Sequence, residues 1–375
     1  MSAAPKILLS AGEPSGDLHG AALARSLRAR WPDAQLYGFG GDLMKAEGVK
    51  LWAHTDQLAV MGFVEVARHL PFFLNLLQTV REHIEDSPPD LVIPIDYPGF
   101  NLRLARYAKR QRVPVLYYIA PQVWAWHRSR MRELAENTDR LAVVLPFEQA
   151  LFKETGANVS FVGHPLLSRE TLSKTREEFC AELGVEPTRP LLAILPGSRN
   201  QEVLSHYRLF VAAAARVQQE LPDVLPVIAQ APGIPESDLT GAYPVTKSTT
   251  DLLKHAHAAL TKSGTSTLEC ALAATPMVIA YRVHPLTYAF AKLVVDVEHI
   301  GLVNLIAGER VAPELLQDDA TPLALANALL PLIREGPERT TALEKLASVR
   351  ARLEGPDQRS AADHVTDLAA ELLTR

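Results

Sequence analysis

The sequence predicts an α/β protein built as two doubly wound domains, each a parallel sheet with helices on both faces. Three observations carry this. Short apolar runs alternate with helical patterns from one end of the chain to the other, the signature of consecutive βα units. The alternation is interrupted by a polar, helix-like stretch, Ser168–Leu183, closed by Gly184 and the Pro187–Pro190 turn, and then begins again. The 375 residues, 47% hydrophobic and 22% charged, are ordinary globular composition and enough chain for two cores.

In the first series the expected strands are Lys6–Ala11, Ala34–Phe39, Asp90–Ile95, Val113–Ile119, Arg140–Leu145 and Ser160–Val162. Pro94 lies inside the third and argues against a central place for it, because proline donates nothing to a ladder. The second series reads Leu191–Leu195, Leu225–Ala229, Ala258–Thr261 and Met277–Tyr281. These runs divide the chain into a first domain, 1–168, and a second, 169–341. The helical pattern from about residue 342 to 375, broken at Gly355-Pro356, is expected to pack back on the first domain or on a partner subunit. A homodimer is therefore left open. No repeat of 20–50 residues is visible, which argues against solenoids and propellers.

Composition excludes several classes. Lys and Arg total 38 against 43 Asp and Glu, a net charge of −5, which argues against a nucleic-acid partner. Cys180 and Cys270 are far apart and belong to no CxxC or Cys/His ladder, so a reducing cytoplasm is the simpler home. The polar start Met1–Lys6 runs straight into a strand, unlike a signal peptide. No uncharged stretch reaches the roughly 18 residues that span a bilayer.

In doubly wound sheets ligands bind beyond the carboxyl ends of the strands, so the residues after each strand matter most. After the first comes Gly12-Glu13-Pro14-Ser15-Gly16-Asp17. Its Ser15-Gly16 turn can cradle an anion, or Ser15 or Asp17 can simply cap the helix that follows. Asp96 ends the run Leu91–Ile95 and precedes Tyr97-Pro98-Gly99, where a general base would stand; ordering of the turn is the plainer role. In the second series Leu195 leads to Pro196-Gly197-Ser198-Arg199, a close-approach turn with a guanidinium fork suited to phosphate. Thr261 leads to Lys262-Ser263-Gly264-Thr265-Ser266-Thr267-Leu268-Glu269. There the amides of a helix start could take a diphosphate and Glu269 the two hydroxyls of a ribose, or Glu269 could merely complement the helix dipole. Cys270 reads as a small buried hydrophobe. Other chemistries have no counterpart: there is no P-loop, no complete dinucleotide fingerprint, no Gly-x-Ser-x-Gly, no Asp-x-Asp and no His-Glu-x-x-His.

Several of these segments occur together, and in order, in one family. Besides Gly12–Asp17 they include Leu58–Val66, Val123-Trp124-Ala125-Trp126, Leu145-Pro146-Phe147-Glu148 and Phe161-Val162-Gly163-His164-Pro165. Leu195–Arg199, Ser263-Gly264-Thr265, Leu268-Glu269 and Asn304–Gly308 complete the set. In them the chain resembles the lipid-A-disaccharide synthases over nearly its whole length. The resemblance implies a GT-B fold, two Rossmann-like domains facing across a cleft. It implies metal-independent, inverting transfer from UDP-2,3-diacylglucosamine to 2,3-diacylglucosamine 1-phosphate (lipid X), with no cofactor. Asp96 then becomes the base, and Arg199, Gly264, Thr265, Glu269 and Asn304 belong to the UDP side. Ser15 and Gly16 are assigned to the acceptor's phosphate. Val303 stands where the family usually has proline.

Both substrates carry acyl chains, so the enzyme is expected to sit peripherally on the phospholipid surface at the cytoplasmic face of the inner membrane. Leu58–Val66 and Leu70–Leu77, with Phe72, Phe73, Arg68, His69 and Arg81, form the candidate docking segment; packing onto the sheet is the alternative. The rival functions are another UDP-sugar enzyme of the same architecture (a peptidoglycan N-acetylglucosaminyl transferase or a UDP-sugar epimerase) and a non-catalytic two-domain binding protein.

Overall fold

The computed structural model describes residues 4–58, 63–125, 128–168, 173–239, 241, 243–283, 288 and 298–374. The chain forms two compact units, one of Met1–Ser168 with Leu353–Arg375 and one of Arg169–Arg352.

The first unit holds a seven-stranded parallel sheet: β1 (Lys6–Ala11), β2 (Gln35–Gly40), β3 (Lys50–His54), β4 (Leu91–Ile95), β5 (Leu116–Tyr118), β6 (Arg140–Val143) and β7 (Val159–Phe161). The strand order is β3-β2-β1-β4-β5-β6-β7. The winding therefore reverses between β1 and β4, which opens a crevice at their carboxyl ends. β4 is central despite Pro94. On the β5 side, Val92 N donates to Pro114 O at 3.0 Å and Asp96 N to Tyr118 O at 3.0 Å. Pro94 falls between these two donors, so the sheet gives up one ladder bond there and keeps its neighbours. The edge strand β3, Lys-Leu-Trp-Ala-His, was not expected: it is short, half-exposed and lacks an apolar run.

The second unit holds a six-stranded parallel sheet: β8 (Leu191–Leu195), β9 (Leu225–Ala229), β10 (Val245–Thr246), β11 (Ala256–Lys262), β12 (Met277–Tyr281) and β13 (Glu314–Leu316). Its order is β10-β9-β8-β11-β12-β13, with the reversal between β8 and β11. The unit opens with the helix Arg176–Leu183, capped by Thr175 in a box with Glu178 and ended by Gly184 in the left-handed region at φ +66°. β8 is buried along its whole length and β11 from Ala258 to Thr261, and these apolar runs carry no alternation, as strands covered on both faces require.

The helix Pro337–Leu353 stays with the second unit, so the return to the first begins later than residue 342. Leu346 and Val349 are buried, and Arg350 and Arg352 donate to the carbonyls of Leu272 (2.8 Å) and Ile306 (3.0 Å). Return comes at Gly355, which lies so close to Gly163 that a Cβ on the latter, at φ +82°, would sit 2.8 Å from Gly355 N. The last helix, Ala361–Leu373, buries Val365, Leu368, Ala369 and Leu372 on one face. It is tied to the helix Pro14–Arg30 through Ser26 Oγ, which donates to Asp363 Oδ1 at 2.7 Å and accepts from Thr366 Oγ1 at 2.9 Å.

Candidate active site

At the β1/β4 crevice of the first unit, two loops are packed with no slack. A Cβ on Gly12 would fall 2.2 Å from the Tyr97 ring, so only glycine fits beneath it. Gly16 is buried in the first turn of Pro14–Arg30, where its missing side chain lets the helix approach Ala11. Neither Ser15 nor Asp17 caps that helix: its N-cap is Glu13, with no side-chain cap bond. The Asp17 carboxylate instead accepts from Gly41 N (2.7 Å), Leu43 N (3.1 Å) and Met44 N (3.0 Å), closing the start of the helix Asp42–Ala46. Ser15 is exposed.

Asp96 and Tyr97 both sit at positive φ, +48° and +49°. Such residues cost about 1–3 kcal/mol each and persist only where the surroundings hold them. Here the Asp96 carbonyl accepts from Tyr117 Oη at 2.7 Å and Asn101 Nδ2 at 2.8 Å. Buried Asn101 is itself fixed, donating to Ser10 O (3.0 Å) and accepting from Ser10 Oγ (2.6 Å). Tyr97 Oη donates to Leu58 O at 2.8 Å. The turn holds a partly buried carboxyl just beyond the carboxyl end of β4. Burial pushes its pKa up to about 6, the nearby Glu13 charge adds to this, and a hydrogen bond from Tyr97 N offsets only part. A carboxylate so placed is ionised at neutral pH yet basic enough to take a proton.

In the second unit, a pocket of roughly 510 Å³, open to solvent, lies over the β8/β11 reversal. Gly197, Ser198, Lys262, Gly264, Thr265 and Glu269 are among the residues that line it. Gly197 stands at φ +141°, where a Cβ would meet Glu202 Cβ at 2.5 Å. Glu202 Oε2 accepts from Ser198 N at 3.0 Å, and Oε1 pairs with Lys262 Nζ at 2.8 Å. Burial alone would raise the Glu202 pKa; the Lys262 ammonium, Ser198 N and Arg199 together hold it below the usual carboxylate range. The pair joins Glu202, in the first turn of the helix Asn200–Glu220, to Lys262, the last residue of β11, and neither side chain stands out in the sequence. Ser266 Oγ donates to Lys262 O (3.1 Å), and Thr267 Oγ1 to Gly264 O (2.8 Å). These hydroxyls close the turn and leave backbone amides and the Thr265 side chain for a ligand.

Gly264, Thr265 and Glu269 thus share one pocket. Arg199 is exposed, the N-cap of the helix Asn200–Glu220, and stands beside the pocket without lining it. Asn304 has a different part. Fully buried, it donates to Ala312 O (2.9 Å) and Glu314 Oε1 (2.7 Å) and accepts from Val311 N (2.8 Å) and Ala312 N (2.9 Å). Both amide hydrogens and both carbonyl lone pairs are spent, so its side chain orders the Leu302–Ala307 helix against β13 and has none left for a nucleotide. Val303 is buried in the first turn of that helix, a position that proline and valine both fit. Cys270 is fully buried and burial raises its thiol pKa, as for an inert core side chain. Among the described residues, no group of three His, Cys, Asp or Glu is placed to hold a metal.

A family model described as lipid-A-disaccharide synthetase matches residues 7–366. The chain belongs to the lipid-A-disaccharide synthase family. It is 39% identical to the lipid-A-disaccharide synthase of Coxiella burnetii over 372 residues, covering 98% of both chains. With that of Geobacter sulfurreducens it shares 42% identity over 324 residues, 84% of each chain. Solved structures share the fold at much lower identity. The calicheamicin glycosyltransferase CalG4 superposes with TM-score 0.63 at 17% identity, over 99% of each chain. The UDP-GlcNAc 2-epimerase of Neisseria meningitidis, solved with UDP-GlcNAc, gives 0.61 at 10%, over 98% of each. The architecture is GT-B, and the family makes the chain a glycosyltransferase of lipid A disaccharide synthesis.

Proposed function

We propose that the enzyme transfers 2,3-diacylglucosamine from UDP-2,3-diacylglucosamine to the 6-hydroxyl of 2,3-diacylglucosamine 1-phosphate, with inversion and release of UDP. The observation that carries the chemistry is the Asp96 turn, a carboxylate held near pKa 6 at the crevice of its sheet. Asp96 takes the hydroxyl proton as the oxygen attacks the anomeric carbon from the face opposite UDP. The C–O bond to the diphosphate breaks, and its electron pair leaves with UDP. The turn Gly264–Ser266 and Arg199 meet the charge that develops there, in place of a metal. Glu269 takes the ribose hydroxyls, and the Ser15-Gly16 turn the acceptor's phosphate.

Mass spectrometry of products made in EDTA from the two acylated substrates tests this reading. The expected products are the tetraacyl disaccharide 1-phosphate and UDP. A requirement for magnesium or manganese would remove the metal-free scheme, and absence of disaccharide would remove the substrate assignment. Arg199→Ala and Glu269→Ala are each expected to weaken UDP binding by about 1.5–3 kcal/mol, as charged hydrogen bonds are lost. Calorimetric titration measures this, and unchanged affinity in a folded variant would place the nucleotide elsewhere.

The reading includes peripheral docking on anionic membrane. Leu77, Val80 and Ile84, at the inner end of the helix Phe63–Asp86, are buried in the core of the first unit, which favours packing for that end. Residues 59–62 and the side chains up to residue 74, including Phe72 and Phe73, lie outside the described residues. No described helix is long and apolar enough to cross a membrane. Phe72→Ser with Phe73→Ser is expected to reduce sedimentation with anionic vesicles while UDP affinity stays intact. Unchanged sedimentation would assign docking to another surface.

A further inference from the structure

Three consecutive strand ends on one edge of the first sheet carry side chains that the scheme above uses only in part. Asp96 follows β4, Trp124 lies in the loop after β5, and Glu148 follows β6. Glu148 is 1% exposed, a place glutamate seldom occupies without a partner. As the third residue of the helix Pro146–Lys153 it reaches back to accept from Leu145 N at 3.2 Å. Its other oxygen accepts from Trp124 Nε1 at 2.9 Å. The indole is held from a second direction by Phe147, edge to face with centroids 4.9 Å apart, and remains partly exposed. Glu148 also feels Asp96. Burial pushes its carboxyl up to about 7, hydrogen bonds from Trp124, Leu145 and Val144 oppose this, and the Asp96 charge adds to it.

We propose that the Trp124 indole, clamped by Glu148, forms a wall of the acceptor-sugar subsite beside Asp96, with Glu148 as its positioning residue. The inference rests on the acceptor being a sugar, as proposed above. A sugar ring presents flat C–H faces, and an indole already fixed by a hydrogen bond and a ring contact loses little freedom in packing against one. A clamp of this kind positions the acceptor's hydroxyl.

The test is a set of steady-state constants for donor and acceptor in wild type, Glu148→Leu, Glu148→Gln and Trp124→Leu. Glu148→Leu frees the indole, and Trp124→Leu removes it. Each is expected to raise the acceptor KM about 10-fold, with donor KM and UDP affinity unchanged. Glu148→Gln keeps one oxygen for the indole N–H but turns its NH2 toward Leu145 N, so its acceptor KM is expected to fall between those of wild type and Glu148→Leu. If Glu148→Leu does not fold, Trp124→Leu decides alone. An unchanged acceptor KM in Trp124→Leu, or equal rises for donor and acceptor, would overturn the inference while leaving the reaction intact. Failure of the wild type to form disaccharide would instead overturn the proposed function, and this inference with it.

Discussion

Asp96→Asn is expected to lower turnover at least ~100-fold while UDP affinity and fold are kept, because an amide accepts hydrogen bonds but not the acceptor's proton. The turn should survive, since the bonds from Tyr117, Asn101 and to Tyr118 all run through the Asp96 backbone. The sign of the stability change is a second check. Burial raises the Asp96 pKa in the folded state above its unfolded value. The carboxyl therefore favours folding most where it is protonated, below the unfolded pKa, and this contribution is lost as pH rises through about 6. An uncharged asparagine escapes that loss, so the variant should melt no lower than wild type at pH 8, and higher if relaxation is small. Near-normal turnover would leave Asp96 as a residue that only orders its turn.

Gly197→Ala should have the largest structural effect. At φ +141° any side chain is strained, and the added Cβ would lie 2.5 Å from Glu202 Cβ, the base of the side chain that pairs with Lys262. Strain of about 1–3 kcal/mol and overpacking of similar size give a loss of roughly 2–6 kcal/mol. In a unit of this size that corresponds to a fall in melting temperature on the order of 5–20 °C. Shifting Glu202 also displaces Lys262 and the Ser198 amide, so UDP affinity should fall together with stability. Differential scanning calorimetry and UDP titration on the same sample measure both. A variant that melts and binds as wild type does would show that the β8 turn is free to move and does not shape the pocket.

How much of this was legible in the sequence follows from what each feature needs. Leu191–Leu195, Leu225–Ala229 and Met277–Tyr281 have the same bounds in sequence and structure, because buried parallel strands write themselves as unbroken apolar runs between turns. The edge strands β3, β10 and β13 escaped because an edge is short and partly solvated, and Lys50–His54 has no period to find. Pro94 misled because proline is forbidden only where its missing N–H has no neighbours to carry the ladder. Position after a strand sufficed to nominate Asp96, Gly264 and Glu269, since the carboxyl edge of such a sheet is a property of local order. Asn304 could not be sorted this way. Whether an amide faces a ligand or is saturated by Ala312, Val311 and Glu314 depends on a fold-back that no local pattern contains. The positive φ of Asp96 and Tyr97 was equally invisible, since neither is glycine.

The pH dependence of kcat/KM, measured in parallel for wild type and Asp96→Asn, tests most directly whether the partly buried Asp96 is the base. Only the ionised carboxylate accepts a proton, so wild-type activity should fall tenfold per pH unit below about 6 and level off above it. The acceptor's own phosphate also titrates near pH 6, and the variant separates the two sources. With Asp96 as base, the limb belonging to it disappears from the residual activity of Asp96→Asn. The same acid limb in both proteins, or a wild-type limb at the ordinary carboxylate value near 4, would contradict the account.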